Sequence, residues 1–190
     1  MLKELVLKNR SYRRFDESYP IEERTLLDLA DLARLTPSVA NLQPLKYLLS
    51  SGPVKNGLIF PTLGWAGYLK EWPGPVEGER PSAYVVVLGD TEITKNFSYD
   101  QGIAAQTILL GAVEQGLGGC IIGNLQREKL RTALNIPEKY EILLVLGLGK
   151  PIEEVVVESL PPNGSVKYWR DDNTVHHVPK RALKDIIVKS

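Results

Sequence analysis

Cysteine occurs once in 190 residues, as Cys120. A lone cysteine excludes an internal disulfide and any Cys-x-x-Cys redox or zinc motif. Histidine occurs twice, and the pair is adjacent, His176 and His177. On a strand, neighbouring side chains point to opposite faces, so these two cannot easily chelate one metal. An excess of one charge sign is also missing: 23 Lys and Arg balance 23 Asp and Glu, for a formal net charge of zero. Nucleic-acid binding rests on a basic footprint that this balance does not supply. It leaves room for a small cationic site facing a phosphorylated ligand. No uncharged apolar run approaches the roughly 20 residues needed to cross a bilayer. The opening Met1-Leu2-Lys3-Glu4-Leu5 lacks the long apolar core of a secretory signal. The expectation is a soluble, cytoplasmic protein with neither a nucleic-acid nor a membrane partner.

Several catalytic signatures are missing as well. A dinucleotide fingerprint needs G-x-G-x-x-G between a strand and a helix. Gly116 and Gly118 would need a third glycine where Ile121 stands, and the local order reads helix then strand. Gly147 and Gly149 would need one where Ile152 stands. There is no P-loop and no G-x-S-x-G elbow. Cys120 sits in an apolar run and reads as buried. With no triad and no metal-ligand cluster, enzymatic chemistry in this chain would fall to a bound cofactor.

What is present suits one globular domain, with 43% hydrophobic and 24% charged residues. Apolar residues at 26, 29, 30 and 33 predict a helix over 21–35, ended by Pro37. A strand is expected over 45–50. The segment 51–82, rich in Gly, Pro and aromatics, reads as a long irregular flap. A buried strand follows over 83–88. Ser98-x-x-Gln101 offers a capping box for a helix over about 100–115 that is apolar on most sides and needs burial on most sides. A strand over 119–123, a short helix from an Asn124 cap to 134, and a buried strand over 141–149 complete the pattern. The remainder, 151–190, reads as an extended tail that must pack on something.

Three clusters stand out against this background: Arg10-Ser11-Tyr12-Arg13-Arg14-Phe15 near the start, Pro37-Ser38-Val39-Ala40-Asn41-Leu42-Gln43-Pro44 at a bend, and Lys180-Arg181 near the end. To these add Gly116-Leu117-Gly118-Gly119-Cys120-Ile121-Ile122-Gly123 and Gly147-Leu148-Gly149-Lys150-Pro151. Taken together and in this order, they resemble the nitroreductase family of FMN-dependent oxidoreductases. Three positions depart from the family pattern: Asn9 and Asn124 replace common Arg and Gly, and Leu45 replaces a common Trp.

The resemblance implies an α+β fold, a three-layer α/β/α sandwich with a mixed, mainly antiparallel sheet in an intertwined homodimer. The tail would wrap the partner subunit. FMN would be the cofactor and NAD(P)H the electron donor, with ping-pong hydride transfer to a nitroaromatic, quinone or other flat small-molecule acceptor. Arg10, Ser11, Lys180 and Arg181 would hold the phosphate by charge-assisted hydrogen bonds. Arg13 would face the flavin N1 and C2 carbonyl. Asn41, with Pro37, Ser38 and Val39, would meet the pyrimidine edge. Ile122 and Gly123 would lie near N5. Trp65 and Tyr68 of the flap are candidates for covering substrate. A specialised enzyme of the same family, of dehalogenase or dehydrogenase type, and a flavin-binding module without turnover remain alternatives.

Overall fold

The computed structural model describes residues 1–188. Their order is α1 (Leu2–Lys8), β1 (Phe15–Asp16), α2 (Glu23–Arg34), β2 (Leu45–Ser50), α3 (Pro53–Ile59), β3 (Ala83–Asp90), α4 (Asp100–Glu114), β4 (Gly118–Ile122), α5 (Arg127–Leu134), β5 (Tyr140–Pro151), β6 (Val155–Ser159), β7 (Trp169–Arg170) and β8 (His176–Lys180). The main sheet is built around β5. One edge of β5 pairs along its length with β3, and β3 pairs in turn with β2. The other edge is shared by β4, opposite 145–149, and by β1, opposite Lys150 and Pro151. These pairings are all antiparallel. A parallel pair of strands is found in a second sheet, where β6 runs beside β8 and β7 closes the far edge.

The period-2 alternation of β3 divides the interior into two cores. Val85 and Val87 face one side, with Leu144, Leu146 and Leu148 of β5, under α2 and α4. Tyr84, Val86 and Leu88 face the other side, with Ile142 and Val145, under Ile59 of α3 and Leu130 of α5. Helices thus cover both faces, which gives the α/β/α sandwich. Each fully buried aliphatic side chain contributes about 1.5–3 kcal/mol by leaving water. The apolar helix α4 finds most of its cover inside the chain. Of its large apolar residues only Ile103 is well exposed.

Several expectations need correcting. The flap 51–82 is not wholly irregular: it opens with α3, entered through Pro53 at the first helical turn. A short N-terminal helix, α1, was not foreseen. Ser98 does not cap α4; its hydroxyl bonds to Asn96 instead, and Tyr99 is the N-cap residue. Asn124 does not cap α5, which starts after Gln126; the Asn124 carbonyl accepts from Gly64 of the flap. The tail is not irregular over 151–180. It forms β6, β7 and β8 and is tied to the N-terminal arm of its own chain through Glu153, which accepts from the Arg13 and Arg14 N–H groups. Only 181–188 stays outside, with Leu183, Ile186, Ile187 and Val188 exposed.

Glycine is required where β4 meets β5. A Cβ on Gly119 would lie 2.5 Å from the Gly147 carbonyl oxygen and 2.9 Å from a Leu109 methyl. The close approach lets the Gly119 carbonyl accept from the Tyr12 N–H at 3.1 Å, and Ser11 bridges to Gly119 in parallel. The segment 10–12 is thereby fixed against the edge of β4. Gly119→Ala is expected to cost about 1–3 kcal/mol through forced backbone movement, read as a lowered urea midpoint. Gly57→Ala, at an open helical position, should leave the midpoint equal or higher.

Candidate functional site

A cavity of about 220 Å³ opens between the N-terminal arm, α4 and β8. Arg10, Ser11 and Lys180 line it, with Gln106, Leu109, Ile121 and Tyr168. Basic groups from near both ends of the chain therefore meet at one place, and no carboxylate is among the lining residues. Arg10 donates from Nη2 to the Val6 carbonyl at 2.7 Å, while its buried Nε has no partner among the described residues. A buried donor left unpaired costs about 1–3 kcal/mol. An acceptor reaching it from the cavity would remove that cost.

Arg13 does not line this cavity. Its guanidinium lies 5.0 Å from the ring centroid of Tyr168, which does. Its Nη1 donates to the Ser11 carbonyl at 3.2 Å and lies 3.4 Å from His176 Nε2. Arg14 makes a bidentate pair with Glu79, at 2.6 and 2.8 Å. That pairing raises the arginine's pKa and holds the Glu79 carboxyl below its usual range.

The anchor of this region is Glu153, whose side chain is 1% exposed. Its carboxylate accepts from the backbone N–H groups of Arg13 and Arg14 and, at 2.8 Å, from Arg170. Arg170 in turn stacks over Trp72 of the flap at 4.3 Å. N-terminal arm, flap and tail are joined around one buried anion.

The two histidines separate as strand geometry requires. His177 is partly exposed, stacked on Trp169 with 4.1 Å between ring centroids, with Nδ1 3.2 Å from Glu158. His176 is 1% exposed, packed against Tyr168. No group of three or more metal-binding side chains occurs among the described residues. Cys120 is buried, and desolvation pushes its thiol up to about 12, so it is not a thiolate nucleophile.

The bend 36–44 lies elsewhere on the protomer. Pro37 and Ser38 line a second cavity, of about 480 Å³, with Tyr47, Gln43 and Asp100. Val39 N–H donates to Asp100 at 3.0 Å. Ala40, Asn41 and Gln43 all hold φ near +50°, which non-glycine residues rarely adopt. Asn41 is exposed and touches neither cavity wall. The two cavities share α4, with Asp100 on one and Gln106 and Leu109 on the other. Six residues of helix separate Asp100 from Gln106 by about 9 Å.

Among the other candidates, Ile122 is buried at the end of β4 and Gly123 is exposed just beyond it. Arg181 is exposed and lines neither cavity. Trp65 is partly buried and packs on Phe60 at 5.8 Å, against the core under α3. Tyr68 is half-exposed and stacks on Tyr168 at 4.9 Å. The sequence reading missed Tyr168, Glu153, Gln106 and His176 as parts of this region. No motif marks them; the only usable signal was the strand-like His176-His177 pair.

Comparison with known proteins places this architecture. Residues 80–150, from β3 through β5, match the model of the Nitroreductase family. YodC of Bacillus subtilis, described as an NAD(P)H nitroreductase, is 22% identical over 86% of this chain and 96% of its own length. A nitroreductase family protein from Streptococcus pneumoniae superposes with a TM-score of 0.69 at 17% identity, covering 100% of both chains. A nitroreductase from Exiguobacterium sibiricum, solved in complex with FMN, gives a TM-score of 0.66 at 18% identity over 86% of this chain and 94% of that one.

The depressed pKa of His176 yields a stability prediction. Burial first, then the charges of Arg13, Arg170 and His177, push it down to about 4, from 6.5 for a free imidazole. As pH falls below 6.5 the unfolded chain takes up this proton and the folded chain does not until near 4. Stability should fall across that window by up to about 1.4 kcal/mol per pH unit. Urea midpoints at pH 7 and pH 5 should drop further for the wild type than for His176→Gln; equal drops would contradict this titration. Residues 80–150 thus match the Nitroreductase family model, and over most of its length the chain has the fold of the solved nitroreductase family proteins.

Proposed function

We propose that the protein is an FMN-dependent oxidoreductase that accepts hydride from NAD(P)H and reduces nitroaromatic, quinone or similar flat acceptors. The observation that carries this reading is the meeting of Arg10, Ser11 and Lys180 around one cavity free of lining carboxylates. Such a cavity suits a phosphate: two cations, a hydroxyl and an orphaned buried N–H offer charge-assisted hydrogen bonds. A drug-sized ligand usually fills roughly 300–1,000 Å³, so one protomer's cavity takes only part of FMN. We assign it the phosphate end. When bound, FMN supplies the two-electron hydride chemistry that no side chain in this protein provides.

The remaining assignments follow the family resemblance. Arg13 supplies a cation for the N1 and C2 carbonyl edge. Asn41, with backbone at Pro37, Ser38 and Val39, meets the ring's polar edge, and Ile122 and Gly123 border N5. Arg181 joins Lys180 at the phosphate. Trp65 and Tyr68 of the flap are the candidates to cover an acceptor, and the exposure of Tyr68 supports it first. Because the bend 36–44 and the cationic cavity are separate within one protomer, a homodimer would unite them, with the bend of one copy reaching the cavity of the other. The exposed Leu183, Ile186, Ile187 and Val188 give such an assembly apolar surface to bury.

Each hydrogen bond to a charged group contributes about 1.5–3 kcal/mol. Arg10→Ala and Lys180→Ala are therefore each expected to weaken FMN binding by about tenfold or more, with unchanged thermal melting. Fluorescence titration with FMN measures this, and unchanged affinity in both variants would remove the phosphate assignment. Anaerobic NAD(P)H should bleach the bound flavin's absorbance; a flavin that stays oxidised would point to a binding module without turnover. Light scattering should give a dimer, and a stable flavin-loaded monomer would contradict the shared site.

A further inference from the structure

Three arginines converge where the N-terminal arm meets the tail, and their partners differ. Arg14 is neutralised by Glu79, and Arg170 by Glu153. Arg13 has no carboxylate on its guanidinium. Its side-chain partners are the Ser11 carbonyl, the imidazole of His176 and the face of Tyr168. Among the described residues, Nη1 is its only side-chain nitrogen bonded to protein, so Nε and Nη2 keep free donors. Its backbone is pinned by Glu153, and Ile152 donates to the neighbouring Arg14 carbonyl at 3.1 Å. Arg13 is thus held at its backbone and at Nη1 while its charge stays uncompensated.

His176 is suited to this role because it is neutral and buried. A guanidinium can only donate, so the Nη1–Nε2 contact requires Nε2 to be the unprotonated nitrogen and Nδ1 to carry the hydrogen. A carboxylate at this place would bind Arg13 more strongly but cancel its charge. Tyr168 stacks between His176, at 5.2 Å, and Tyr68 of the flap, at 4.9 Å. The Tyr68 N–H donates to the Tyr168 hydroxyl at 3.3 Å. The tail sheet therefore carries the surface on which Arg13 rests.

We propose that His176, through its Nε2 lone pair and its packing on Tyr168, is a positioning residue that holds the Arg13 guanidinium as a fixed, uncompensated cation for the electron-rich edge of a bound flavin. This rests on the FMN reading above. It makes the 151–180 segment a determinant of flavin affinity and reduction potential.

The test compares wild type, Arg13→Ala, His176→Phe and His176→Gln, each measured for FMN dissociation constant and for the midpoint potential of the bound flavin. Phenylalanine keeps the ring packing and removes the acceptor; glutamine restores an acceptor oxygen. His176→Phe should raise the dissociation constant about three- to tenfold and move the potential in the same direction as Arg13→Ala. His176→Gln should recover most of both, and adding His176→Phe to Arg13→Ala should change nothing further. A purely structural histidine would alter melting but leave the potential of the folded fraction unmoved. If Arg13→Ala shifts the potential and His176→Phe does not, the positioning role is overturned while the FMN reading stands. If wild type binds no FMN, or Arg13→Ala changes neither quantity, the assignment of Arg13 falls and the proposal with it. Nitrogen-15 spectra of the flavin-free protein at pH 7 give an independent readout: His176 should be the neutral Nδ1–H tautomer, and an Nε2–H tautomer would overturn the contact.

Discussion

The buried carboxylate of Glu153 is the contact on which the candidate site of this molecule depends. Its oxygens gather two backbone N–H groups from the N-terminal arm and the guanidinium of Arg170 from the tail. An ion this deeply buried is stable only if its lone pairs are filled, and removing a partner costs several kcal/mol. That requirement makes the joint specific. The arm cannot leave the tail without stripping two hydrogen bonds from a buried carboxylate, and the tail cannot leave without stranding two main-chain donors. Arg10 and Ser11 on one side and Lys180 on the other are held at one cavity by a contact that belongs to neither group.

The main sheet supplies the rigid floor for that joint. β5 is paired on both edges, and the glycines at 119 and 147 let β4 approach closely enough for the segment 10–12 to bond along its outer edge. Two aromatic contacts extend the joint outward. Trp72 lies under Arg170, and Tyr68 lies on Tyr168, so the flap packs against the same region through two ring contacts. Within it, carboxylates neutralise two of three arginines and leave the third with a neutral imidazole. The imbalance is a property of partner choice rather than of net charge, which is zero for the chain.

The apolar periodicities of α2, β3 and β5 were readable because each buries a continuous face, and burial imposes the pattern directly. The helix caps were misread at Ser98 and Asn124 because short polar side chains have several local partners, and tertiary contacts decided which one each took. The flap concealed α3 because a seven-residue helix with one buried position, Ile59, leaves almost no period to detect. Trp65 and Tyr68 look alike in sequence but separate in space, one into the core and the other onto Tyr168.

The sequence by itself determined the class of the fold and the chemical kind of its site: ordered motifs with basic residues near both ends, and no side-chain nucleophile or metal cluster to compete with a cofactor. The tertiary structure decided which of those residues meet. It joined Arg10, Ser11 and Lys180, left the Asn41 bend on a separate cavity, and introduced Glu153, Tyr168 and His176 from a stretch without a recognisable motif. The physical reason is range. Periodicity and turn chemistry act over a few residues, whereas a buried charge selects its partners from anywhere in the chain, here across about 140 positions between Arg13 and Glu153.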